Sequence, residues 1–195
     1  MNQDIGRAIV FSMPVVSAAV SLILISLDTT RSSNTVDRKI HYNMIAVYCL
    51  MILFWSGLVM HSIARDTFIA YLPVFFSSFA FIPVFLYRIT HIITDTGERK
   101  LFPACHFILP ACLTLIICAI ALAVPLWQRW AAIYDNEVNL TSAIIDITFI
   151  VCILLCILYS WLSLLRIKSY KRKIIDYSAD IYRMSLDWLS FIILF

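Results

Sequence analysis

Apolar residues run along this chain in long blocks rather than in alternation. Five blocks, at about residues 9–27, 44–60, 68–87, 107–127 and 143–165, hold almost no charge. Each approaches the roughly 20 residues that a helix needs to cross a bilayer core. In lipid a peptide group has no water to bond, so each block is expected to satisfy its own backbone as an α-helix. A sixth block starts at Trp188 and reaches Phe195. Eight residues at about 1.5 Å rise do not cross a bilayer. The expectation is therefore an all-α polytopic membrane helix bundle, with five full spans and the truncated start of a sixth. It divides into a five-span bundle (1–165), a basic amphipathic linker (166–187) and the start of that sixth span (188–195).

Composition agrees with the blocks. Of 195 residues, 62% are hydrophobic and 14% charged, whereas a soluble domain carries nearer ~25% charged residues. The first residues hold Asp4 and no basic cluster, so the first block reads as a retained span rather than a signal peptide. The prolines at 14, 73, 83, 110 and 125 lie in or near span ends. Each can kink a helix and release a carbonyl. Tyr42, Tyr71, Tyr87, Trp127, Trp130 and Trp188 suit headgroup anchoring.

Charge placement sets the expected orientation. Arg31, Arg38, Lys39, Arg88, Arg99, Lys100, Arg166, Lys168, Lys171, Arg172, Lys173 and Arg183 fall in the odd-numbered loops. Arg7, Arg65 and Arg129 alone fall on the other side. The positive-inside tendency then puts the odd loops in the cytoplasm and the N-terminus outside. With this orientation, five or seven spans bring the chain's end into the cytoplasm.

The linker has its own pattern. Ile167, Tyr170, Ile174, Tyr177 and Ile181 recur every three or four residues behind a basic first half. That is helical periodicity, and it suits a helix against the inner leaflet. An ordinary positive-inside loop is by itself enough to explain the charges. Asp176, Asp180 and Asp187 follow in the second half and suit a polar surface that another protein part touches.

Candidate chemistry is sparse. Asp146 is the one charged residue that falls inside a block. Such a residue often marks a ligand or packing site, although its early place in the fifth block also suits a solvated helix-end carboxylate. Trp130, Tyr134, Asp135 and Glu137 fall in the richest outward loop, residues 128–142. With Asp146 they form the candidate signal or ligand region. His41, His61, His91 and His106 show no metal-binding spacing, and each reads as an interfacial polar residue. The six cysteines, Cys152 and Cys156 included, read as small hydrophobes. No catalytic set, metal site or cofactor is expected, and no enzymatic activity.

Several short motifs carry a family resemblance. They are Lys171–Lys173, Tyr177-Ser178, Asp180 and Leu186-Asp187-Trp188-Leu189, with Pro83-x-x-x-Tyr87 and His106-Phe107-x-x-Pro110 upstream. In this stretch the chain resembles the multi-span N-terminal membrane region of Bacteroidetes-like AraC-type transcriptional regulators. Tyr177-Ser178 stands where Phe-Ser is more often expected. The resemblance implies seven spans and then a cytoplasmic helix-turn-helix domain, which these residues do not show. It implies a sensory domain, multi-pass in a bacterial inner membrane, that relays a small-molecule or membrane signal to that DNA-binding module. Arg166, Lys168, Lys171, Arg172, Lys173, Tyr177, Ser178, Asp180 and Trp188 would be the coupling segment. Its partners would be the lipid bilayer, a small-molecule signal and a second copy of the chain. DNA would be met only through the C-terminal domain. The competing expectation is a small transporter or permease, although no internal repeat supports it.

Overall fold

A computed structural model describes residues 2–31, 35–94, 102–135 and 139–175. The expectations for Glu137, Tyr177, Ser178, Asp180, Trp188 and the sixth apolar block lie outside these residues. Within them the chain forms α1 (Asn2–Arg31), α2 (Thr35–Ile63), α3 (Arg65–Ile93), a 3-10 turn (Ala104–Phe107), α4 (Ile108–Ala123), α5 (Leu126–Tyr134) and α6 (Leu140–Ile175). Five of these segments are long and apolar enough to cross a membrane. The architecture is that of a multi-pass helical membrane protein.

α3 is the hub. It packs against α2, α4, α5 and α6, whereas α1 packs on α2. Accordingly 44% of the most apolar stretch of α3 is covered by protein, against 6% for α1. Ile9, Val10, Met13, Val16, Val20 and Leu24 of α1 all stay exposed. In water so large an apolar face would drive association. Against acyl chains it costs nothing.

α2 and α3 form a tight antiparallel hairpin through one non-helical residue, Ala64. Its N–H donates to the Met60 carbonyl at 2.8 Å, and its own carbonyl accepts from Phe68 N–H at 2.9 Å. The two helices close on each other at Gly57. A Cβ there would stand 2.6 Å from Cδ2 of Phe75. That ring stacks on Phe54 at 5.1 Å and meets Phe76 edge-on at 5.4 Å. Tyr71 adds a polar tie across the hairpin, its hydroxyl donating to the Leu53 carbonyl at 2.9 Å.

α3 and α6 run in the same direction. Phe79 meets Phe149, Tyr87 meets Tyr159 and Thr94 meets Arg166, in that order along both helices. The bundle therefore has two ends. One, termed the upper end, gathers the start of α1, the α2–α3 turn, α5 and the start of α6. The lower end gathers the end of α1, the start of α2, the end of α3, the 3-10 turn and the end of α6. Arg7, Arg65 and Arg129 all lie at the upper end, while Arg38, Lys39, Arg88, Arg166 and Lys168 lie at the lower. The charge asymmetry expected from the loops is thus a property of the folded bundle.

The helices overrun most of the apolar blocks, and two of the boundaries that differ bear on the site. The fourth block was expected to reach Trp127, but α4 stops at Ala123 and Val124 turns extended before Pro125. Proline disfavours helix in the residue before it and is well placed to open a new one. Trp127 therefore sits on the separate helix α5. At the other boundary, α6 does not stop at residue 165. It continues as one helix to Ile175, so the first part of the expected linker prolongs the span. At about 1.5 Å per residue the helix is roughly 54 Å long, well beyond a ~30 Å bilayer core.

Candidate functional site

Pro73 in α3 is the starting point of the upper-end site. Proline has no N–H, so the carbonyl four residues back loses its helical partner. That carbonyl belongs to Ile69, which is buried. An unpaired buried carbonyl costs about 1–3 kcal/mol. Arg129 of α5 satisfies it, Nη1 donating to Ile69 O at 3.1 Å. Arg129 Nε donates at 3.1 Å to the carbonyl of Val124, at the break between α4 and α5. One buried guanidinium thus closes two backbone gaps, each traceable to a proline. Burial lowers the Arg129 guanidinium from its ordinary value, but arginine stays charged in proteins.

The next two turns of α5 carry Trp130 and Tyr134 into the same region. The Tyr134 hydroxyl lies 2.8 Å from His61 Nδ1, and the two rings stack at 5.4 Å. The guanidinium of Arg65 lies 5.1 Å from the centre of the Tyr134 ring, a cation–π distance. Burial pushes the Tyr134 hydroxyl up from the ordinary phenol value, with Arg65 pulling it partly back and Asp66 adding to the rise. It therefore stays protonated at neutral pH and holds the imidazole by a neutral hydrogen bond.

Two pockets flank this cluster. One of about 350 Å³ is lined by Asp66, Ile69, Leu126, Trp127 and Trp130. The other, about 260 Å³, is lined by Asp4, Arg7, Phe11, His61, Ser62 and Arg65. Both cavities open at the upper end, and charged and polar side chains dominate the lining of the second.

The expected signal residues separate here. Trp130 and Tyr134 belong to the cluster. Asp135 caps the end of α5, its N–H donating to Ala131 O at 3.0 Å, and its side chain is exposed. Asp146 is exposed on α6 and lines neither upper-end pocket. The residues that organise the site, Arg129, His61, Arg65 and Arg7, were not among the expected ones. Two signals pointed to them. Pro73 inside a span leaves a carbonyl in need of a donor, and Arg129 is one of only three basic residues on its side.

The lower end has a polar–aromatic cluster of its own. Tyr87, Phe102, His106 and Tyr159 pack together, with ring centres 5.0–5.7 Å apart. His106 Nδ1 lies 3.1 Å from the Tyr159 hydroxyl. The two upstream motifs of the resemblance, around Pro83–Tyr87 and His106–Pro110, therefore meet in space.

From the expected coupling segment, Arg166 Nε donates to Thr94 Oγ1 at 2.7 Å. Thr94 is buried and its hydroxyl donates onward to Thr90 O at 2.7 Å. Ile167 is buried below this contact against Ile93 and Tyr170. Lys168 and Arg172 are exposed, and Lys171 and Lys173 lie on the same continuous helix.

Among the described residues no group of three His, Cys, Asp or Glu side chains is placed to hold a metal ion. Cys152 is buried in the core between helices, one turn from the half-buried Cys156. No family model, curated protein or solved structure matches the chain.

Proposed function

We propose that this chain is the membrane-embedded sensory part of a transcriptional regulator in a bacterial inner membrane. It takes up a small-molecule or membrane signal at the upper end and passes a shift along α6 to a cytoplasmic DNA-binding module, without chemistry of its own. The observation that carries the reading is α6 itself. It runs unbroken from the level of the upper-end cluster to Ile175, and Arg166 ties it to the end of the hub helix at Thr94. A movement of α3 against α6 at the top has a stiff route to the lower surface. Signal transfer requires two states that differ in affinity for the signal, and the Arg166–Thr94 hydrogen bond at the exit is a site where such states can differ. The family resemblance supports the same reading, as does the run of basic residues at the exit, Lys168, Lys171, Arg172 and Lys173.

The test compares transcripts of the source organism with the gene intact, deleted, or carrying Thr94→Val. A small set of transcripts lost on deletion and altered by Thr94→Val is the expected result. Unchanged transcripts together with impaired uptake of a solute would replace this reading with transport.

A further inference from the structure

The 260 Å³ upper-end pocket has a lining that the sensing reading leaves without a ligand. Arg7 comes from α1 and Arg65 from the start of α3, and both line this one cavity. Among the described residues no carboxylate lies within ion-pair distance of either guanidinium. Asp4 is the one acidic side chain in the lining. With His61 counted as neutral, the walls carry one surplus positive charge.

The donors left over are specific. The Arg65 guanidinium carbon lies over the Tyr134 ring, a cation–π contact that gives its N–H groups no oxygen or nitrogen acceptor. Ser62 is already engaged, its hydroxyl donating to Leu58 O at 3.0 Å. His61 Nδ1 is engaged by Tyr134, so Nε2 is what remains. Two guanidinium forks reach this cavity from different helices. The unesterified oxygens of a tetrahedral phosphate do not share one plane with its substituents, so they accept from two such forks better than a planar carboxylate does. Phe11 supplies an apolar wall, and the cavity sits where the apolar runs of α1 and α2 end.

We propose that this cavity is a binding site for a singly charged phosphate group, held between Arg7 and Arg65. The phosphate is either the diester of a lipid headgroup or free inorganic phosphate. For an amine-bearing headgroup, Asp4 is placed in the same lining to meet the ammonium. The site names the ligand class of the sensing reading. Its test needs no signalling output, so failure of one leaves the other standing.

The experiment is native mass spectrometry and titration of the full chain purified in detergent. The probes are phosphatidylethanolamine, phosphatidylglycerol and, separately, inorganic phosphate. Arg7→Gln/Arg65→Gln should weaken the bound probe by about tenfold or more, as loss of charge-assisted hydrogen bonds implies. Arg7→Lys/Arg65→Lys, which keeps the charge and controls for folding, should recover part of it. Retention of a lipid adduct alone identifies a headgroup site, and saturable inorganic phosphate identifies a soluble ligand. Binding of none of the probes, or binding that the Gln double variant leaves unchanged, overturns the proposal.

Discussion

Arg129 and Gly57 show how single residues set the packing of this bundle. Arg129 matters because of a proline on another helix. Replacing it by Met keeps much of the apolar stem but leaves the Ile69 and Val124 carbonyls without their donor. Arg129→Met should therefore destabilise the protein by about 1–3 kcal/mol. Pro73→Ala restores the N–H that Ile69 O lacks, so in the Arg129→Met background it should recover part of the loss. A double-mutant cycle read by unfolding in mixed micelles checks this, with a coupling of about 1 kcal/mol expected. Strict additivity would mean that Arg129 does not act through that carbonyl. Gly57 makes the opposite kind of demand, for the absence of a side chain. Its added Cβ would meet a ring that is itself buried between Phe54 and Phe76, so the ring has little room to yield. Gly57→Ala should cost about 1–3 kcal/mol, and Gly57→Val more. The same unfolding assay ranks them.

At the scale of the helices, the informative features are where they stop and where they do not. Proline and its predecessor end α4 early and start α5, which gives the upper end a short amphipathic helix instead of a loop. α6 does the reverse and runs on past the apolar block. Its lower part is held at Thr94 and by the buried Ile167. Thr94→Val preserves the shape of the side chain but removes the acceptor for Arg166. Amides of residues 166–175 should then exchange hydrogen faster, while those of residues 150–160 stay protected. Equal protection in both proteins would show that the tie does not order the exit helix. Most of the element plan was legible in the blocks, because lipid forces any spanning segment to be apolar and helical. The two shifted ends were less so. Hydrophobicity marks what lies in lipid, whereas a helix ends where its backbone pattern is broken.

For the whole molecule, the segregation of basic residues between the two ends is an orientation signal. Reporter fusions after Ala64 or Ser142 should be active only if exported, and fusions after Ile175 only if cytoplasmic. The reverse pattern would place the Arg7–Arg65 pocket on the cytoplasmic side and remove the basis for an external signal. The pocket joins α1, which otherwise packs on α2, to the hub through α3. Occupancy should therefore protect the first turns of α1 from exchange, a global effect of a local ligand.

The sequence by itself determined the class of the protein, its five long helices, the partition of its charges and the apolar character of its outer faces. Those follow from the solvent, since a bilayer imposes length, helicity and low charge on each span independently. Only the tertiary structure decided that α3 is the hub, that α3 and α6 run parallel, and that Arg129 answers Pro73. It also separated Trp130 and Tyr134, which belong to the upper-end cluster, from Asp146, which stands apart on the exposed face of α6. These are relations between residues far apart in the chain. Each span is apolar enough to face either lipid or protein, so no one-dimensional pattern says which neighbour it chooses. That choice rests on shape, as at Gly57 and Phe75, and on backbone groups left unpaired.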